Sequence, residues 1–467
     1  MLHIYNTLTR QKQLFKPLEE GKVNMYVCGM TVYDFCHIGH GRIFVIFDMI
    51  VRFLRFRGYE VNYVRNITDI DDKIIQRAKE NNESIQALTT RTIQAMHEDE
   101  RALGVLAPTS VPKATEFISE IIAMIETLME NKYAYQASNG DVYFETKKFS
   151  SYGEMAQQDL DKLRSGIRVD VVDAKNDPLD FVLWKLAKPG EPEWDSPWGK
   201  GRPGWHIECS AMSNNLLGPQ FDIHGGGLDL QFPHHQNEIA QSEAANGCQF
   251  VNYWMHVGYV TIDKEKMSKS LGNFFTIREV LENYHPEVIR YFMIASHYRS
   301  PINYSQQNLT NARNALERLY SSLRNLPEVG EKDDKGFEQQ YIAAMEDDFN
   351  TPVALAVLFD IAREINRLKD EEKFNEAAQV SALLKRLGGS LGLLQNDPET
   401  FLKGSLSGAE VDHIECLIKA RETARADKNW AEADRLRNEL QLLKVIIEDG
   451  PQGTTWRKEA LAEHDYS

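Results

Sequence analysis

Val23-Asn24-Met25-Tyr26-Val27-Cys28-Gly29 is a short apolar run that closes on a tight turn, the pattern of a buried strand. From Gly41 onward, Ile43, Phe44, Ile46, Phe47, Ile50, Val51 and Leu54 recur at helical spacing, and Arg55, Arg57 and Gly58 end that segment. Tyr59 to Ile67 then alternates as a second strand. Strand, helix and strand in one continuous stretch make a βαβ unit, hence a parallel sheet. The segment His37-Ile38-Gly39-His40 falls at the carboxyl end of the first strand, where open α/β sheets bind ligands.

A second short segment, Lys266-Met267-Ser268-Lys269-Ser270, follows another apolar, strand-like run. Alone, each is short enough to arise by chance, and the second reads equally as a solvated loop. Together they place imidazoles, glycine and lysine on loops whose backbone can approach a nucleotide, which suits phosphate chemistry. The pair resembles the signature of class I aminoacyl-tRNA synthetases. That resemblance implies ATP-dependent activation of an amino acid and its transfer to tRNA.

The chain has 467 residues, so several domains are expected. Its apolar share of 42% and charged share of 26% are those of a globular protein, with no apolar run long enough to span a membrane. The start, Met1-Leu2-His3-Ile4-Tyr5-Asn6-Thr7, lacks the regions of a signal peptide. Cys28, Cys36, Cys209, Cys248 and Cys416 are odd in number and widely spaced, which argues for a reducing, cytoplasmic compartment rather than a disulfide framework. A net charge of −16 points away from nucleic acid on average, but tRNA is met by local basic patches. Arg52, Arg55, Arg57 and Arg65 are one such candidate patch, with an ordinary solvated helix face as the competing reading.

Helical periodicity dominates from about Ser84 to Lys132, followed by a strand-like segment from Asp141 to Thr146 and a long irregular stretch. Residues 189–204 hold four Pro, four Gly and two Trp, a loop composition. The sheet resumes with Phe221-Asp222-Ile223 and again with Val257 to Ile262. After Pro301, four segments (Leu309 to Leu326, Phe337 to Met345, Pro352 to Leu368, Ala377 to Leu387) have the spacing of a helical bundle. Gly404 to Gly408 reads as a linker, and two helices, a strand at Val445-Ile446-Ile447 and a Gly/Pro turn follow. The fold class expected is α/β, with a Rossmann-type parallel-sheet catalytic domain over residues 1–115 and 201–305, interrupted by a connective insertion over 116–200. A helical bundle over 306–403 and a small α+β domain over 409–467 complete it.

Cys28, Cys209, His234 and Glu238 supply two soft thiolates, an imidazole and a carboxylate, a plausible zinc set. His234 and Glu238 share a face if helical. No close Cys-x-x-Cys pair exists, so spacing leaves open a bland alternative of two buried free cysteines and an ordinary helix face. His206, His224, His234, His235 and His256 cluster in sequence without showing which of them line a site.

Longer motifs resolve the family. Cys28-Gly-Met-Thr-Val-Tyr-Asp, Arg65-Asn-Ile-Thr-Asp-Ile-Asp-Asp-Lys, Gly201 to Met212, His224-Gly-Gly-Gly-Leu-Asp-Leu-Gln-Phe-Pro-His-His, Tyr253-Trp-Met-His and Glu448-Asp-Gly-Pro-Gln-Gly-Thr-Thr-Trp-Arg resemble the cysteinyl-tRNA synthetases over essentially the whole chain. The resemblance implies one zinc on Cys28, Cys209, His234 and Glu238 within the cysteine pocket, and magnesium accompanying ATP. It implies transition-state contacts to phosphate from His37, His40 and Lys269, with Lys266 a further candidate. Gly39 then lets adenine approach, Gly227 and Asp229 lie near the ribose, and Thr31, Thr68 and Trp205 wall the amino-acid pocket. One departure is Gln236, where the family commonly has Glu, which alters charge beside the metal and not the ligand set.

The implied partners are L-cysteine, ATP and tRNA(Cys), with the chain a monomer. A zinc–thiolate bond discriminates cysteine from serine where a hydrophobic pocket separates near-isosteres by only about a hundredfold, and the insertion is too short for an editing domain. In the terminal domain, Trp430, Arg435, Asp449 and Trp456 are candidates to read anticodon bases by stacking and edge hydrogen bonds. Competing readings are an enzyme passing activated cysteine to a small amine, a non-enzymatic zinc or RNA-binding protein, and a simple nucleotidyltransferase. The extra domains, the intact His37, His40 and Lys269, and the paired signatures argue against these in turn.

Overall fold

The computed structural model describes residues 1–155, 174–262, 265–266, 274–333, 335–404, 406, 408–450 and 453–458. Two compact units are present. The first comprises Met1–Glu282, Met293–Tyr304 and Ile342–Val353; the second comprises Asn283–Phe292, Ser305–Tyr341 and the chain from Ala354 onward.

The first unit opens with an antiparallel ribbon, β1 (His3–Asn6) and β2 (Gln11–Leu14). Then comes the βαβ unit read from the sequence: β3 (Lys22–Val27), α1 (Ile38–Phe56) and β4 (Glu60–Arg65), with β3 and β4 parallel. α1 starts three residues before the apolar pattern does. Its N-cap is His37, whose Nδ1 accepts the His40 amide, a capping chemistry that Ser, Thr, Asp and Asn usually supply. α2 (Asp72–Glu80) and α3 (Ile85–Ala102) follow. The periodicity of 84–132 is two helices, because Gly104 takes a left-handed φ of +67° and the prolines at 108 and 112 cannot continue α3; α4 (Ile118–Glu130) begins afresh.

The stretch after α4 is more ordered than its composition suggests. β5 (Ala134–Gln136), β6 (Val142–Phe144), β7 (Phe181–Leu186) and β8 (Gly201–Pro203) form an antiparallel sheet in that order. Only β6 was visible as a strand in the sequence. β5 and β8 are three residues long, too short to show alternation.

α5 (Trp205–Leu217), β9 (Phe221–Gly227), α6 (Gln236–Asn246) and β10 (Val251–Val257) return the chain to the parallel sheet, whose strand order is β10-β9-β3-β4. The strand expected at Val257 to Ile262 is corrected. β10 ends at Val257, and β11 (Val260–Ile262) belongs to a different sheet with β12 (Glu265–Lys266) and β13 (Ile302–Tyr304). Gly258 causes the break, since its backbone lies so close to the Arg299 and Ser300 carbonyls that a Cβ would meet them at 2.7 and 2.6 Å. Between β12 and β13 run α7 (Ile277–Leu281) and α8 (Pro286–Ile294).

From β3 the chain moves to β4 on one side and later to β9 and β10 on the other. The strand order therefore reverses between β3 and β9, which opens a crevice at their carboxyl ends.

The second unit contains α9 (Gln306–Leu323), α11 (Thr351–Asp370), α12 (Phe374–Gly389) and α13 (Pro398–Lys403), with α10 (Phe337–Glu346) preceding α11 in the chain. Buried Glu287 accepts from Tyr320 Oη at 2.7 Å, Asn396 Nδ2 at 2.7 Å and the Leu394 amide at 2.6 Å. α14 (Gly408–Ala426), α15 (Trp430–Leu442) and a hairpin of β14 (Val445–Gly450) and β15 (Gly453–Lys458) follow. The second hairpin strand was read as a turn. Arg457 in β15 pairs with Glu317 of α9 at 2.5 Å, and Arg324 donates to the Trp456 carbonyl at 3.2 Å.

The proposed basic patch near α1 loses two of its four members, while Arg55 and Arg57 are exposed. Arg65 is buried against Glu100 and over the Phe44 ring, and Arg52 is held by Asp48 at 2.8 Å.

Candidate functional site

Cys28 is the first residue beyond β3, and its amide donates to the Gly225 carbonyl of β9 at 3.1 Å, so it sits in the crevice where the strand order reverses. Cys209 lies on the first turns of α5, and His234 and Glu238 flank the start of α6. These four side chains, from three separate segments, are buried, and their donor atoms lie within 4.8 Å of one another. The Cys28 and Cys209 sulfurs are 3.8 Å apart, Cys28 Sγ is 3.4 Å from Glu238 Oε1, and His234 Nε2 is 3.1 Å from the same oxygen.

A tetrahedral zinc with bonds of about 2.3 Å to sulfur and about 2.0–2.1 Å to nitrogen and oxygen sets edges of about 3.8 Å between two sulfurs, about 3.6 Å between sulfur and oxygen and about 3.4 Å between nitrogen and oxygen. The observed separations fit that tetrahedron to within a few tenths of an ångström.

The electrostatics point the same way. A hydrogen bond from Cys28 stabilises the Cys209 thiolate and draws its pKa down to about 6, while burial pushes the Cys28 thiol well up. Burial opposes charge on His234, but Glu238 and Cys209 overcome it and raise its pKa to about 10. Burial likewise opposes charge on Glu238, yet His224 and His234 bring it down to about 2. The donor set is an anionic pocket that draws positive charge onto an imidazole, the charge a divalent metal would replace.

Around these four sits a histidine shell that the sequence located only as a cluster. His224 Nε2 is 2.8 Å from Glu238 Oε2, and the His206 and His234 Nδ1 atoms are 2.9 Å apart. His235 contacts His256 at 2.7 Å, and His256 reaches Thr7 Oγ1 at 2.9 Å. His224 and His235 also form a second possible donor set with Cys28 and Glu238. The first set matches zinc better, since two thiolates are softer than two imidazoles.

Two of the expected wall residues lie together, and the third lies beside the donor set. Thr31 and Thr68 face each other across a parallel bridge, and the Val32 amide donates to the Thr68 carbonyl at 3.1 Å. Gly29 permits this approach, because a Cβ there would lie 1.6 Å from the Asn66 carbonyl oxygen. Trp205, 40% exposed, lies against His234 with ring centroids 4.4 Å apart and planes tilted by 38°. Gln236 is buried, and its Oε1 accepts the Met155 amide at 3.0 Å.

His37 and His40 stack with centroids 3.6 Å apart, each Nδ1 accepting the other's backbone amide at 3.2 and 3.3 Å. In the neutral ring that assigns the proton of each to Nε2, a donor at the start of a nineteen-residue helix with no acidic residue in its first turn. Gly39 lies in that turn. Gly227 ends β9, and Asp229 is exposed just beyond it. The backbone of Lys266 pairs with Thr261, and Lys269 lies outside the described residues. The chain re-emerges at Phe274 and returns directly to the first signature. Ile38 donates to the Phe275 carbonyl at 3.1 Å, and Ile277 donates to the Cys36 carbonyl at 2.9 Å.

Three family models match in succession: the tRNA synthetases class I (C) catalytic domain over residues 14–314, the DALR domain over 340–395 and the cysteinyl-tRNA ligase anticodon binding domain over 410–457. The chain belongs to the class I tRNA synthetases, in the cysteine–tRNA ligase family. It is an aminoacyl-tRNA ligase. The cysteine–tRNA ligase of Methylococcus capsulatus is 61% identical over 466 residues, covering 98% of this chain and 100% of that protein. That of Coxiella burnetii is 58% identical over 458 residues, with the same coverage. Among solved structures, Mycobacterium tuberculosis methionyl-tRNA synthetase in complex with methionyl-adenylate superposes with a TM-score of 0.59 at 15% identity, over 81% of this chain and 95% of that one, a likeness of fold. Among the described residues, no helix is long and apolar enough to cross a membrane.

In the ligase's terminal domain, two expected base readers are corrected. Trp456 is 4% exposed, packed with Leu436, Leu440 and Val445, so its ring is not open to stacking. Asp449 is held bidentately by Arg421 at 2.9 Å and again by Arg425, which occupies its acceptor oxygens. Arg435 is exposed but forked between Glu432 and Glu439. Trp430 is 61% exposed and retains an open face.

Proposed function

We propose that the chain is a cysteine–tRNA ligase that converts L-cysteine and ATP to cysteinyl-adenylate and passes the cysteinyl group to the 3′-terminal adenosine of tRNA(Cys). The observation that carries this reading is the buried donor set of Cys28, Cys209, His234 and Glu238, with its two sulfurs 3.8 Å apart, in the crevice of the parallel sheet. Cys28, Cys209, His234 and Glu238 would hold zinc there, and its soft Lewis acidity would favour the thiolate of cysteine over the harder, less acidic hydroxyl of serine. Thr31, Thr68 and Trp205 close the pocket around the amino acid.

The carboxylate of cysteine attacks the α-phosphorus of ATP, the bond from that phosphorus to the bridging oxygen breaks, and pyrophosphate leaves with magnesium. The Nε2 protons of His37 and His40 donate to phosphate oxygens as charge develops, and Lys269, with Lys266 nearby in sequence, adds positive charge. Gly39 admits adenine, and Gly227 and Asp229 lie beside the ribose. A hydroxyl of the terminal adenosine then attacks the acyl carbon and AMP leaves. Residues 1–115 and 201–305 carry the adenylate chemistry, 116–200 form the connective insertion, and 306–403 with 409–467 engage the tRNA, Trp430 offering a stacking face for an unpaired base.

Cysteine-dependent exchange of pyrophosphate into ATP, followed by charging of tRNA, tests the reading. Exchange with cysteine, hardly any with serine, and transfer to tRNA(Cys) are expected. Exchange without transfer to any tRNA, or equal use of serine, would overturn it.

A further inference from the structure

Two residues beyond the first signature, α1 carries Arg42, whose side chain is fully buried. Its Nη1 donates to the carbonyls of Gly258 at 2.9 Å and Tyr259 at 2.8 Å. Its Nη2 donates to the Ser300 carbonyl at 2.5 Å and makes longer contacts to His297 and Tyr298 at 3.4 Å each. No carboxylate among the described residues pairs with it, so carbonyl dipoles alone balance the charge. A buried cation without an anion is costly, and only a planar fork of donors reaches two backbone segments at once.

Those segments flank the strands that lead toward the second signature. Gly258 and Tyr259 join β10 to β11, and the chain continues through β12 to Lys266. Residues 297–300 lead into β13, which pairs in parallel with β11. Arg42 thus fastens the approach to the second signature onto the helix that bears the first. Beyond the second signature, Phe275 and Ile277 are bonded to Ile38 and Cys36, with an antiparallel bridge between His37 and Thr276. Residues 260–277 are therefore tied at both ends to the immediate neighbourhood of His37 and His40. The backbone bridge makes the second tie, and the Arg42 side chain makes the first.

We propose that Arg42 is a positioning residue for adenylate formation, holding the β10–β11 junction and residues 297–300 against the helix that bears His37 and His40. This rests on the reading that the two signatures handle ATP. Arg42→Ala removes the tie, and Arg42→Lys keeps the charge without the fork. A misplacement of about 1 Å costs on the order of 10²-fold in rate, so single-turnover adenylate formation in Arg42→Ala should fall by roughly that factor. The KM for cysteine and the zinc content should stay within about twofold, the split expected when an interaction matters mainly in the transition state. Added guanidinium should restore part of the rate to Arg42→Ala and none to His40→Ala. Should Arg42→Ala fail to fold, Arg42→Lys decides by the same split between rate and KM. A folded variant forming adenylate at the parental rate overturns the proposal. So does a fall in rate matched by equal losses of cysteine binding and metal without guanidinium rescue, the pattern of mere destabilisation. If His40→Ala and Lys269→Ala also react at the parental rate, the nucleotide reading itself has failed, and that outcome is distinguishable from failure of Arg42 alone.

Discussion

Replacing His224 by Phe should weaken zinc binding by roughly one to two orders of magnitude while leaving all four proposed ligands in place. Among the described residues the imidazole makes one hydrogen bond, from Nε2 to Glu238 Oε2 at 2.8 Å, and its Nδ1 has no hydrogen-bond partner there. Its ring stacks on Trp254 with centroids 4.5 Å apart and planes 18° apart, a contact that a phenyl ring can keep. The substitution therefore deletes a single buried bond to a charged acceptor and little packing. Such a bond contributes about 1.5–3 kcal/mol. At about 1.4 kcal/mol per tenfold this is roughly a 10- to 100-fold rise in Kd for the metal, the range by which partners of metal ligands tune affinity. Competition for zinc with a chromophoric chelator measures it, with circular dichroism as the check on folding. A Kd within twofold of the parent in a folded variant would refute the claim that His224 orients Glu238 for metal.

Purified protein should hold about one zinc per chain, and Cys209→Ser should lower metal content and cysteine affinity together; full cysteine activation by metal-free protein would end the zinc assignment. Lys269→Ala should slow adenylate formation on the order of 10²-fold or more with little change in cysteine binding, as for removal of one charge-stabilising donor; equal single-turnover rates would count against it. Lys369 offers a pH test in the second unit. Burial, with Arg324 nearby, lowers its pKa to about 8, and its ammonium donates to the Arg324 carbonyl at 2.7 Å. A folded pKa below the unfolded one means that charging opposes folding, so the stability cost is fully present below pH 8 and fades as pH rises toward 10.5. Lys369→Met should therefore exceed the parent in denaturation midpoint at neutral pH by a margin that shrinks between those values, and a pH-independent margin would contradict the assignment.

The catalytic fold was legible where local pattern and tertiary role coincide. β3, α1 and β4 each carry an apolar period suited to burial in a parallel sheet, and all three form. Legibility failed where a strand is defined by its partners. β5 and β8 are only three residues long, and they exist because β6 and β7 offer them ladders. β15 was read as a turn because Gly450 and Gly453 dominate the local signal, although the strand that follows carries buried Trp456. The same residue shows why composition misleads about function. A Trp and an Asp in a terminal domain suit RNA recognition as side-chain types, but Trp456 fills the core and Asp449 is consumed by two arginines.

The metal-centre candidates depended on the family resemblance for a different reason. Cys28, Cys209 and the pair His234 and Glu238 come from three segments spread over more than 200 residues, so no spacing rule joins all of them; proximity arises from the sheet. Cys28 and β9 meet because β3 and β9 are neighbours where the strand order reverses, and α5 and α6 then deliver the other three ligands to that crevice. Topology also explains how an acidic chain can serve an anionic nucleotide. On the proposed reading the groups facing phosphate need only be locally positive, and the stacked imidazoles at the start of α1 would supply donors at a helix end with no acidic side chain in its first turn. Net charge sets the average field at long range, screened beyond about 8–10 Å at physiological salt. On the proposed reading the chemistry is decided within hydrogen-bonding distance, where the Nε2 protons of His37 and His40 outweigh acidic residues elsewhere on the surface.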